Sequence, residues 1–174
     1  MNERIEVGGK HPGYQVFIDS HPHMWVDIVD SWLNLEDHFP ANSIQKLFAS
    51  HVIEHLTFPL QLEAMKVTLA ILKPGGEVEL DTPDFYDLAV RMVQAKISPH
   101  ECQHTIFGGQ EYDANTHRFV HTPRSMFKMM SIAGFVVKKI MPENGGIKAI
   151  AVKPEEGYSY HMESNVYVYK REVQ

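Results

Sequence analysis

Apolar positions along this chain follow two periods, and the two alternate. Arg4–Val7, Val16–Ile18 and Val26–Val29 are short apolar runs that read as strands, stopping at Gly8-Gly9, Asp19 and Asp30. Ile44–Ala49 (IQKLFA) reads as a fourth strand leading into Ser50-His51. Leu60, Ala64, Val67 and Ile71 then recur at helical spacing, predicting a helix over Leu60–Leu72 that Lys73-Pro74-Gly75-Gly76 ends in a tight turn. Glu77–Asp81 (EVELD) returns to period two.

Thr82-Pro83-Asp84 carries the signature of a helix start, with a Thr cap and Pro at the first helical position. Phe85, Leu88, Ala89, Met92 and Val93 would give that helix its apolar face. Residues 98–121 read as irregular, with Gly108-Gly109 and four histidines. Thr122-Pro123 repeats the cap signature before a stripe of Met126, Phe127, Met130 and Ala133 closed by Gly134, a stripe that suits core packing. Phe135–Ile140, Ile147–Val152 and Asn165–Tyr169 read as antiparallel-compatible strands, the first two joined through Asn144-Gly145-Gly146. Strands alternating with helices predict one α/β sheet with helices on both faces.

Composition narrows the function classes. The 174 residues, 44% of them hydrophobic, suffice for one domain over 1–174 with a real core. A net charge of −6 without a Lys/Arg cluster argues against a nucleic-acid partner. No apolar run reaches the roughly 18–20 residues of a membrane span, and MNERIEVGGK has no signal-peptide core, so a cytoplasmic protein is expected. Cys102, the single cysteine, excludes an intrachain disulfide and any CxxC zinc site.

In open α/β sheets ligands bind beyond the carboxyl ends of the strands, which directs attention to Gly8-Gly9, Asp19, Asp30, Ser50-His51 and Asp81–Asp84. The order IEVGG, VFID, VDIVD, SIQKLFASHVIEHL, ILKPGGEVELDTPDF and HRFVHTPRSMFKMMSIAGF resembles class I S-adenosylmethionine-dependent methyltransferases, in particular their short type 11-like branch, over about residues 4–152. The resemblance implies a Rossmann-like sheet, mostly parallel with a C-terminal antiparallel hairpin. It also implies methyl transfer from S-adenosylmethionine to a small-molecule acceptor, leaving S-adenosylhomocysteine. Carried over by position, Glu6, Gly8 and Gly9 fall at the methionine part of the cofactor and Asp19 at the ribose. Asp30, or failing that Asp27, falls at the adenine, and Ser50 and His51 lie beside the sulfonium and the acceptor. His51 is the first candidate for a base and His117 the second, with Asp84 and Tyr112 as acceptor contacts. One departure stands out: Asp19 follows Gly8 by eleven positions, with Pro12 and Gly13 between, so the helix joining strands one and two should be reduced or missing.

Two other readings compete. The abbreviated glycine motif also suits a methyltransferase-like module that binds or assembles without catalysis. His51-Val52-Ile53-Glu54-His55 spells HxxEH, which on a helix would let His51 and His55 grip zinc with Glu54 as base and Glu111 or Glu143 as third ligand. The methyl-transfer reading itself calls for no metal ligand. Residues 153–174 form an aromatic-rich tail in which a strand could pair with a second subunit to make a homodimer.

Overall fold

The computed structural model describes residues 4–143, 145–155, 158–163 and 166–171. The chain runs β1 (Arg4–Val7), β2 (Val16–Asp19), β3 (Ile28–Val29), a 3-10 turn at Trp32–Asn34 flowing into α1 (Leu35–His38), and β4 (Ile44–Ser50). It continues with α2 (Phe58–Ile71), β5 (Leu72–Pro83), α3 (Phe85–Val93), α4 (Pro99–Phe107), α5 (Pro123–Ile132), β6 (Val136–Glu143) and β7 (Gly146–Val152). The main sheet has the order β3-β2-β1-β4-β5-β7-β6, with every neighbouring pair parallel except β5–β7 and β7–β6. This is the mostly parallel sheet with a C-terminal antiparallel hairpin that the sequence predicts.

Register sorts the side chains onto two faces with different chemistry. Ile5, Leu47, Val78 and Ala151 are cross-strand neighbours, as are Val7, Ala49, Leu80 and Ala149, and all are buried. Met65 and Ile71 from α2, Met126, Met129 and Met130 from α5, and Trp32 and Leu35 close the same core. The indole Nε1 of Trp32 donates to Thr68 Oγ1 (2.8 Å), which donates onward to Ala64 O, so the one polar atom of that ring is satisfied in the core.

The opposite face carries charge. Lys46 Nζ reaches Glu77 and Glu79 (2.7 and 2.5 Å), and Lys148 Nζ reaches Glu79 and Glu143 (3.3 and 2.8 Å), a ladder across β4, β5, β7 and β6. No helix separates β1 from β2; the segment between them folds back instead. His11 meets Phe48 edge-on and Tyr14 stacks on it (centroids 5.1 and 5.5 Å), while Trp25 packs its edge against Phe17 and stacks on His23. Rings from two short loops thus occupy space beside β1, β2 and β4.

Several expectations need correcting. The third strand shrinks to Ile28–Val29. Thr82-Pro83 does not start a helix: β5 extends through Pro83, which pairs with Gly146, and Asp84 is the cap, its Oδ1 accepting from Tyr86 N (2.9 Å). Of the expected apolar face only Leu88 is buried, while Val93 is 89% exposed. The stretch expected to be irregular contains α4, held by a reciprocal capping box between Ser98 and Glu101. In the tail, β8 (Tyr158–Glu163) and β9 (Val166–Arg171) pair with each other in a separate ribbon. Asn144 of the expected hairpin turn and Asn165 of the expected last strand lie outside the described residues.

His121 ties the layers together. It is fully buried, its Nε2 bonded to Gln61 Oε1 (3.1 Å) and its Nδ1 to Ser125 Oγ (3.3 Å). Burial pushes its pKa down to about 4, with the Glu54 charge opposing. The unfolded chain therefore takes up a proton near pH 6.5 that the folded one refuses. Stability from this residue is complete above pH 6.5 and declines toward pH 4, by up to about 3 kcal/mol. Denaturation from pH 4 to 7 should show that slope, and His121→Gln should flatten it; an unchanged slope in the variant would refute the assignment.

Candidate active site

The carboxyl ends of β1, β2, β3 and β4 open into a cleft of about 360 Å³. Gly8, Asp19, Asp30, Trp32, Val52 and Tyr112 are among its walls. Gly8 has φ +75°, and a Cβ there would lie 2.1 Å from Val52 Cγ2, so the closeness of β1 to the loop after β4 depends on glycine. Asp19 ends β2 and accepts from His21 N through Oδ1 (2.8 Å). Asp30 accepts from Ser31 N, Asn34 Nδ2 and His38 Nε2, each at 2.7 Å. The His38 bond, then those from Asn34 and Ser31, hold its carboxyl down to about 2. Those bonds build the turn at Trp32–Asn34, whose Trp32 is buried in the core and backs the cleft wall.

A second cleft of about 490 Å³ opens beyond the ends of β5 and β7, walled by Asp81, Arg91, His104, His117 and Glu143 among others. His51 lines both clefts. Its backbone is left-handed (φ 54°), a conformation that costs a non-glycine residue on the order of 1 kcal/mol or more, and its N–H donates to Asp81 O (2.9 Å). The imidazole is 64% exposed while its Nδ1 lies 3.2 Å from Glu54 Oε1. Glu54 itself is 1% exposed and also accepts from Thr82 Oγ1 (3.1 Å). Burial works to raise the Glu54 carboxyl, but the His51 bond and nearby imidazoles outweigh it, and the group stays an anion. That anion in turn raises the His51 pKa, through their hydrogen bond against the effect of burial. Because a carboxylate only accepts, the proton sits on Nδ1 and Nε2 presents a lone pair.

The remaining predicted residues separate by place. His117 lines the second cleft, its pKa lowered by burial and its Nδ1 bonded to Thr105 O (2.9 Å). Tyr112 lies at the first cleft rather than the second, beside His21 (centroids 5.6 Å). Glu6, Gly9, Ser50 and Asp84 wall neither cleft. Glu6 is fully buried and holds the β1–β2 loop through His11 N and Nδ1 (2.7 and 2.5 Å), Asp27 accepts from Phe17 N (2.9 Å), and Asp84 caps α3. Cys102 is buried against Met92.

His51 and His55 do not share a helix face; the segment is a bend followed by a single 3-10 turn, so the HxxEH geometry is not formed. No motif marks Trp32 or the hub role of Glu54, whereas Asp81 falls in the strand-end stretch Asp81–Asp84. The signal for Glu54 is an acid that follows the apolar pair Val52-Ile53 and stands between two histidines in HVIEHL. Asp81 Oδ1 is buried with no hydrogen-bond partner among the described residues, and burial raises its carboxyl pKa.

No protein-family model matches the chain, and no curated protein sequence does. Solved structures do. A SAM-dependent methyltransferase from Archaeoglobus fulgidus superposes with a TM-score of 0.60 at 13% identity, over 87% of this chain and 86% of that one. One from Methanosarcina mazei gives 0.57 at 13% identity over 89% and 93%. PigF, solved with SAH, gives 0.55 at 11% identity over 87% and 56%. The fold is therefore that of class I SAM-dependent methyltransferases.

Gly8→Ala tests the cleft's construction. It should destabilise by about 1–3 kcal/mol in chemical denaturation, from both the positive φ and the clash. Adding Val52→Ala should restore only the steric part; a neutral Gly8→Ala would contradict the close approach.

Proposed function

We propose that this chain transfers the methyl group of S-adenosylmethionine to a small polar acceptor. The observation that carries the reading is the pair of clefts meeting at His51, one at the ends of β1–β4 and the other beyond β5 and β7. The first suits the cofactor: Gly8 lets the end of β1 pack closely against Val52 and form one wall, and Asp19 offers a carboxylate for ribose hydroxyls. Asp30, its oxygens already engaged, shapes the wall through the turn it builds instead of serving as the main adenine contact. When bound, the cofactor supplies an electrophilic methyl group; the chain's task is placement.

His51 suits the role of base. Its Nδ1–H is oriented by a buried carboxylate, which leaves Nε2 to take an acceptor proton. The raised pKa means this base is available only as the pH rises past the ordinary imidazole value. The buried, unpaired Asp81 Oδ1 calls for a hydrogen-bond donor, which favours an acceptor bearing hydroxyl or amine groups. His117, while its Nε2 is uncoordinated, is the second candidate base from the other cleft.

Calorimetric titration tests the reading. S-adenosylmethionine and S-adenosylhomocysteine should bind in the micromolar range, and Asp19→Ala should weaken both by about 10–100-fold. Absence of heat with either ligand would overturn it and leave a non-catalytic module.

A further inference from the structure

Below His51, where the two clefts meet, three side chains with metal-ligating atoms come together. One ligand atom each from Glu54, His55 and His117 lies within 4.8 Å of the others. His55 lines the first cleft, His117 the second, and Glu54 is buried. The His55 and His117 rings approach edge to face, with centroids 4.8 Å apart.

The hydrogen bonds around the two imidazoles decide what faces inward. His55 Nδ1 lies 3.3 Å from Thr116 O, and His117 Nδ1 lies 2.9 Å from Thr105 O. A carbonyl oxygen can only accept, so each Nδ1 carries the proton and each Nε2 is left with a lone pair. Glu54 adds a carboxylate whose bonds to His51 and Thr82 leave further lone pairs. Imidazoles anchored through Nδ1–H to backbone carbonyls, with a carboxylate beside them, are how proteins orient metal-binding histidines. Mutually repelling acceptors at this spacing are relieved by a cation.

We propose that Glu54, His55 and His117 hold a divalent first-row transition-metal ion at the seam of the two clefts. Two imidazole nitrogens and a carboxylate suit Zn(II), Fe(II) or Co(II) better than magnesium or calcium, which prefer oxygen alone. Bonds of about 2.1 Å would place the ligand atoms roughly 3.4 Å apart, so small side-chain rotations inward complete the site. This trio replaces the His51–His55 pair suggested by HxxEH. Three protein ligands leave coordination positions open to an acceptor oxygen, whose proton the ion would make easier to remove. That role rests on the methyl-transfer reading, whereas binding of the ion does not.

The test uses the full chain without a histidine tag, stripped by a chelator and titrated with Co(II) in the absence of cofactor. One Co(II) per chain should bind with visible d–d absorption, and Zn(II) should displace it. His117→Ala and His55→Ala should each weaken binding by more than about 100-fold. His100→Ala, on exposed α4, should leave binding unchanged. Glu54→Gln is informative only if circular dichroism shows it folded, so the histidine variants carry the test. No stoichiometric binding, or binding that survives both histidine variants, would overturn the proposal. Cofactor titration with Asp19→Ala is read separately, so failure of the methyl-transfer reading remains distinguishable.

Discussion

A single buried residue, Glu54, holds the cleft end of the sheet together. Glu54 takes the Thr82 hydroxyl from the end of β5 and the His51 ring from the end of β4, while its backbone carbonyl accepts from Arg118 N and Phe119 N. Two segments distant in sequence, the end of β5 and residues 118–119, are thereby bound to the loop that follows β4. Burying an unpaired carboxylate would cost several kcal/mol, so the surrounding donors and imidazoles are what make this position tolerable. Gln61 extends the arrangement by donating to Ile53 O and Leu56 O and accepting from buried His121. The left-handed backbone of His51 is consistent with a loop whose ends are held from several directions.

The sheet meets a second constraint. Parallel strands are normally covered on both faces, yet no helix lies between β1 and β2. The Lys46–Glu79–Lys148 ladder and the rings of His11, Tyr14, Trp25 and Phe48 take over part of that task. Partly exposed ion pairs contribute little each, and a network contributes more than isolated pairs do. The stacked rings remove apolar surface from water in compensation. One consequence reaches the site: Glu6, matched by resemblance to a cofactor contact, is instead the anchor of the loop that replaces the helix.

How far the chain could be read follows the range of the forces involved. Val16–Asp19, Ile44–Ser50 and Phe58–Ile71 declare themselves through periods of 2 and 3.6, and Thr122-Pro123 through a cap whose side chain bonds two or three residues away. The same local grammar misplaced the start of α3, because Thr82-Pro83 looks like a cap until β7 is seen pairing alongside it. It leaves α4 unmarked by period, because that helix's amphipathic pattern is short and weak and its one strong local signal is the Ser98–Glu101 capping box. Strand ends pointed to Gly8, Asp19 and His51 because α/β sheets place their ligands there.

By itself, then, the sequence determined the alternation of elements and the reduced β1–β2 connection and, through the resemblance it carries, the parallel sheet with its reversed hairpin. The first two depend on residues close together in the chain. Tertiary structure alone decided that Glu54 is a hub, that Glu6, Asp30 and Asp84 are engaged in local architecture, and that His55 meets His117 sixty-two positions away. Periodicity records which face of an element is buried. Which side chain completes another's hydrogen bonds depends on where strands from different parts of the chain come to rest.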